Sequence, residues 1–159
     1  MKHIVGVADM KHSVQGGDVI VTHALGSCLG IAVHDPANSV GGLLHVMMPA
    51  SNINPDKAKA NPYMFVDTGV PMFFQKLYSL GCNKRQMKVK VAGGANVHKK
   101  DNDRFAIGKR NYMMLKKIFW KNGVLIESED VGGEHARTMY LEVGTGKVWL
   151  STAGKERPL

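Results

Sequence analysis

Leu29-Gly30-Ile31-Ala32-Val33-His34-Asp35 and Val40-Gly41-Gly42-Leu43-Leu44-His45-Val46-Met47-Met48 flank the short segment Pro36-Ala37-Asn38-Ser39. Both runs are aliphatic, and an Asp-Pro turn signal separates them, so they read as two antiparallel strands. A four-residue turn Asp35-Pro36-Ala37-Asn38 sets Asp35 opposite Asn38. Continued along the strands, that register sets Cys28 opposite His45 on one face. Directly opposed residues have Cβ atoms roughly 4.5–5.5 Å apart, which is within thiol–imidazole range.

Outward from this hairpin, His3–Ala8 and Asp18–His23 read as further strands. Ala50–Lys59 is polar, follows Pro49, contains Pro55 and reads as a mobile loop. A helix is expected over Pro62–Leu80, with Asn61 as its cap and Pro62 at the first helical position. Val66, Val70, Phe73, Leu77 and Leu80 form its apolar stripe and Gly81 its stop. Pro71 should either kink this helix or delay its start to Asp67. Met87–Ala92 is the next strand and ends in Gly93-Gly94. A second helix over Ile107–Lys121 presents Asn111, Met114, Leu115 and Ile118 on one face and stops at Gly123. Val124–Glu129, Thr138–Val143 and Lys147–Ser151 complete the strands, the last two as a hairpin around Gly144-Thr145-Gly146. The expectation is one α/β domain over residues 1–159, a sandwich of two main helices on a mixed, mostly antiparallel sheet. Its core spans residues 3–151, and residues 152–159 form a short tail.

Composition narrows the function. With 44% hydrophobic and 21% charged residues the chain is globular rather than disordered. Twenty-one Lys and Arg against 13 Asp and Glu give a net charge of +8, which favours anionic partners. Nucleic acid is not indicated, because no helix-turn-helix, RNP motif or basic–aromatic interleaving occurs. Two cysteines, Cys28 and Cys82, make no disulfide framework, and the N-terminus lacks a signal-peptide core. No apolar run approaches the ~20 residues of a membrane helix. A cytoplasmic protein with free thiols and no membrane insertion is expected. The seven histidines show no HExxH and the chain no CxxC, so no metal site is expected. Ala92-Gly93-Gly94-Ala95 lacks a following Gly-Lys-Ser/Thr, which argues against a mononucleotide cradle; it reads as a strand-end turn or cleft wall. Asp130-Val131-Gly132-Gly133 with Arg137 reads as a glycine turn.

Chemistry concentrates at Thr22-His23-Ala24-Leu25-Gly26-Ser27-Cys28. Gly26 and Ser27 allow a sharp bend that leaves amide N–H groups near the sulfur, suited to a thiolate or an oxyanion. His34 is the rival base to His45, but six residues along a strand is about 20 Å. It cannot reach. Cys82 has no comparable histidine and reads as a packing residue.

Taken in order, Thr22, Leu25-Gly26-Ser27-Cys28, His45 within Leu44-His45-Val46-Met47-Met48-Pro49, Ala92-Gly93-Gly94-Ala95, Ile107-Gly108 with Asn111, and Asp130-Val131-Gly132-Gly133 with Arg137 resemble the CheD family of chemoreceptor glutamine deamidases. The resemblance implies a fold related to the bacterial toxin deamidases. It also implies cysteine-dependent conversion of receptor glutamines to glutamate through a thioester. Cys28, His45 and Thr22 fall on the family's catalytic positions, with Gly26 and Ser27 at the oxyanion turn. Gly93, Gly94, Asn111 and Arg137 are candidate substrate contacts. No metal or organic cofactor is required, and some members also hydrolyse receptor methyl esters.

Implied partners are the cytoplasmic helices of chemotaxis receptors, which are rich in glutamate and glutamine, and a response-regulator phosphatase. Lys57, Lys59, Lys99 and Lys100 are candidates for attracting the acidic receptor surface. The alternative reading is a regulatory module that acts mainly by docking to that phosphatase. A coupled Cys28 thiolate–His45 imidazolium pair would keep the sulfur reactive below the ~8.5 of a free thiol.

Overall fold

Every residue of Leu29–Asp35 and of Val40–Val46 is buried, so both faces of this hairpin must be covered by other elements. In the computed structural model of the chain, which describes residues 1–97 and 106–159, the hairpin is the middle of three layers. The strands are β1 (Lys2–Val5), β2 (Asp9–Ser13), β3 (Val19–Leu25), β4 (Leu29–Asp35), β5 (Val40–Val46), β6 (Lys88–Gly93), β7 (Ser128–Val131), β8 (Arg137–Glu142), β9 (Val148–Thr152) and β10 (Lys155–Pro158). The helices are α1 (Pro55–Ala60), α2 (Val66–Ser79) and α3 (Ile107–Asn122).

The mixed sheet expected from sequence is divided into two five-stranded sheets, ordered β1-β3-β8-β9-β10 and β2-β5-β4-β6-β7. Each has one parallel pair, β1 with β3 and β6 with β7, and is otherwise antiparallel. Alternation along β4 and β5 supplies both cores. Leu29, Ile31, Val33 and Leu44 pack with Val70, Phe73, Leu77, Leu115 and Phe119 under α2 and α3. Ala32 and Leu43 pack with Ile20, Leu25, Met139 and Leu141 of the other sheet. Gly42 is small because a Cβ there would lie 2.9 Å from the Phe73 ring.

The turn differs from the expected one. Asp35 pairs with Val40 and Gly30 with His45, so the register is offset by two residues and the loop spans Pro36–Ser39. The Asp35 carboxylate organises that loop, accepting from the Ala37 and Asn38 amides, the Asn38 side chain and the Asn83 amide. Ser39 completes it with a φ of 51°. An offset of two leaves each side chain on its face, because strand side chains alternate with period two. His45 therefore stays on the face that Cys28 was expected to share, although its direct partner is Gly30.

Other expectations are corrected by local capping. Ala50–Lys59 is ordered into a 3-10 turn, Ser51–Ile53, and α1, whose first turn is capped by the Asn54 side chain. The long helix over Pro62–Leu80 divides: Asn61 caps a 3-10 turn, Pro62–Met64, and α2 begins at Val66, next to the delayed start that Pro71 suggested. β2, with the polar sequence Asp9-Met10-Lys11-His12-Ser13, gave no strand signal and is held by pairing with β5. The segment Val124–Glu127 precedes β7 instead of belonging to it. Residues 152–159 are no tail: β10 pairs with β9, and Arg157 bridges to Asp130 at 2.7 Å. Among the described residues, no helix is long and apolar enough to cross a membrane.

Asp35→Ala leaves several loop donors without an acceptor and should cost about 1–3 kcal/mol. A lowered urea midpoint at unchanged m-value would register this.

Candidate active site

Thr22 and His45 come from different sheets. Thr22 sits on β3, opposite Val5 of β1, and His45 on β5, between Asp9 of β2 and Gly30 of β4. A Cβ at Gly30 would meet Leu25 and Met139 at 2.8 Å, so this face of the hairpin looks into the layer between the sheets. Thr22 and His45 are 0% and 1% exposed.

Their hydrogen bonds fix the imidazole's tautomer. The Thr22 hydroxyl donates to the Val5 carbonyl at 2.9 Å and lies 2.7 Å from His45 Nδ1. A carbonyl only accepts, so the single hydroxyl proton is directed to Val5. Nδ1–H must then donate to Thr22 Oγ1, which leaves the lone pair of the neutral ring on Nε2. Nε2 is buried and has no hydrogen-bond partner among the described residues. An imidazole held this way presents an unoccupied base. Thr22 thus meets the ring through its side-chain hydroxyl.

Cys28 lies at the entry to β4 and is half-buried against the inter-sheet core. A bulge in β3 between Thr22 and Leu25, with Ala24 at a φ of 58°, turns the chain into Gly26-Ser27-Cys28. Each carbonyl of that turn is held: Gly26 O by the Ala95 amide at 2.8 Å, Ser27 O by Asn111 Nδ2 at 2.9 Å, and Cys28 O by the Gly94 amide at 2.8 Å. The Ser27 and Cys28 amide N–H groups have no backbone partner among the described residues.

The remaining candidates support the turn from outside. Gly93, at a φ of 111°, must lack a side chain because a Cβ would stand 2.2 Å from the Cys28 carbonyl oxygen. Gly94 lines a cleft of about 980 Å³ together with Gly26, Ser27, Met48, Val97 and Tyr112. Asn111 is fully buried, and its Nδ2 bridges the Ser27 and Met47 carbonyls, tying the cysteine turn to the end of the histidine strand. Arg137 is also buried, donating to Asp130 and to the Gly93 and Gly132 carbonyls. Burial would raise the Asp130 carboxyl, but hydrogen bonds from Arg157 and Arg137 hold it below the usual range.

His34 is remote from this cluster, bonded to the Val143 carbonyl at 2.8 Å. Burial pushes the Cys82 thiol up to about 11, consistent with a packing residue. Lys57 and Lys59 are exposed on α1, whereas Lys99 and Lys100 lie outside the described residues.

Sequence reasoning missed the Val5 and Met47 carbonyls, which have no side-chain signature, and the packing role of Gly108. A Cβ on Gly108 would come within 2.6 Å of the Gly94 backbone. A glycine in the first turn of a helix was the signal available.

Electrostatics oppose a resting ion pair. Burial raises the Cys28 thiol, only partly offset by its own amide. Burial also lowers His45 to about 4, against the attraction of the Asp9 carboxylate. Burial therefore favours the neutral form of each group over the expected thiolate–imidazolium pair.

In this α/β sandwich the turn before Cys28 lines the cleft through Gly26 and Ser27, while Thr22 and His45 lie buried between the sheets behind it. Residues 47–152 match the family model described as CheD chemotactic sensory transduction. The chain is 51% identical over 151 residues to the probable chemoreceptor glutamine deamidase CheD 1 of Syntrophus aciditrophicus, covering 95% of this chain and 94% of that one. It is 45% identical to the protein so named (probable chemoreceptor glutamine deamidase CheD) from Solibacter usitatus, with 98% and 92% covered. Against that of Thermococcus kodakarensis it is 38% identical, with 91% and 88% covered. The chain belongs to the CheD family.

Two pH dependences follow. A histidine whose folded pKa is about 4, below its unfolded value near 6.5, contributes stability that is complete above the unfolded value. That stability is lost as pH falls from about 6.5 towards 4. His45→Gln should flatten this limb in urea titrations. Iodoacetamide should alkylate Cys28 slowly at neutral pH and faster only above the ~8.5 of a free thiol; a fast plateau near neutrality would mean a resting thiolate.

Proposed function

We propose that the chain is a cysteine-dependent protein-glutamine deamidase acting on chemoreceptors. The observation that carries this reading is the hydrogen-bond chain from Val5 through Thr22 to His45, which leaves Nε2 as a base in the layer Cys28 faces. The relatives named as probable chemoreceptor glutamine deamidases support the substrate class.

In this reading His45 Nε2 takes the thiol proton as Cys28 sulfur bonds to the glutamine amide carbon. The carbonyl electron pair moves to oxygen, where the Ser27 and Cys28 amides stabilise the oxyanion. Collapse breaks the C–N bond, and Nε2 returns its proton to the departing ammonia. Water then attacks the thioester, Nε2 accepts its proton, and the C–S bond breaks to give glutamate and the free thiol. Thr22 fixes the ring throughout. A methyl ester would reach the same thioester with methanol as leaving group.

Mass spectrometry of a receptor cytoplasmic fragment should show a one-dalton gain at glutamines, matched by released ammonia. Cys28→Ala should abolish both while keeping the fold, and full activity in that variant would exclude the mechanism. Thr22→Val should lower kcat about 10²-fold by freeing the tautomer.

A further inference from the structure

The outward face of α3 is basic and apolar at once. Met113 and Trp120, two turns apart on the face, are 59% and 84% exposed. Around them stand Lys109, Lys116, Lys117 and Lys121, all exposed, and α3 contains no acidic residue. Ion-pair partners for these four lysines are absent among the described residues; Lys116 lies over the Tyr112 ring. An exposed tryptophan ringed by cations is not the surface of an isolated helix in water, and tryptophan is among the commonest interface anchors.

The face is continuous with the active-site cleft. Lys109 and Tyr112, in the first turns of α3, line that cleft beside Gly26 and Ser27. From there the 16 residues of α3 run about 24 Å along the surface, a length and shape matched by another helix.

We propose that this face is a docking surface for an acidic α-helix of the substrate protein, the one whose glutamine enters the cleft. The choice of partner rests on the deamidase reading of the cleft. Charge disfavours pairing of this face with itself in a second copy, which would set one basic helix against another. A negatively charged helix lying along α3 neutralises the lysines, covers Met113 and Trp120, and leads its side chains to Lys109 at the cleft mouth. Each turnover replaces a neutral amide by a carboxylate on that helix, so docking strengthens as modification proceeds. Neighbouring glutamines on one helix are then modified in succession without full release.

The test uses the intact chain carrying Lys117→Glu, Lys121→Glu and Trp120→Ala, all at exposed positions outside the cleft. On a folded receptor cytoplasmic fragment the variant should show KM raised about tenfold or more with kcat unchanged. On a short neutral glutamine peptide its rate should equal the parent's. Binding of the receptor fragment to Cys28→Ala protein should weaken steeply with salt, and the same charge changes should remove that salt dependence. An unchanged KM, an equal loss on the short peptide, or binding of anionic phospholipid vesicles in place of the receptor fragment would overturn the proposal. Absence of ammonia release from the parent would instead overturn the reading of the cleft, while the binding measurement still decides the fate of the face.

Discussion

A hydroxyl buried between two sheets is the constraint on which this molecule depends. Thr22 belongs to one sheet and His45 to the other, and they meet at 2.7 Å in a largely apolar layer. Polar groups withdrawn from water are costly unless each finds a partner of the right sense. The Val5 carbonyl meets that need for the hydroxyl and thereby dictates which ring nitrogen carries the proton. Pairing of β1 with β3, pairing of β4 with β5 and the stacking of the two sheets must all be correct for this contact to exist. A slip of one residue in either hairpin or ladder would send one of the two side chains to the opposite face.

The cysteine turn is held by an independent set of contacts, and their directions matter as much as their number. Because the Gly26, Ser27 and Cys28 carbonyls all accept from Gly94 and Ala95 just after β6 or from α3, the bend is gripped through its oxygens. Its amides remain available. Gly93 and Gly108 make that grip close enough, and Asn111 extends it to Met47, joining the bend to the histidine strand. One helix therefore steadies the bend from inside and presents lysines and Trp120 outside.

Two electrostatic regimes meet along α3. Within the sandwich, burial disfavours the charged forms of both the cysteine and the histidine. On the surface, solvated lysines act over about a Debye length and bias the approach of partners without fixing their geometry.

The sequence by itself determined the elements whose causes are local. Aliphatic runs on either side of an Asp-Pro turn signal placed β4 and β5, Asn61 and Gly81 marked boundaries near α2, and Gly123 ended α3. The face of His45 was also legible, and it survived an error in the turn because that error was an even number of residues, although the direct opposition of Cys28 and His45 did not survive it. Tertiary structure alone decided the division into two sheets, the recruitment of residues 155–158 as β10, and the turning of Asn111 and Arg137 towards internal carbonyls. It also decided the tautomer of His45. Period, caps and turns are written in neighbouring side chains. A backbone carbonyl looks the same at every position, and only the packed chain shows which donor reaches it.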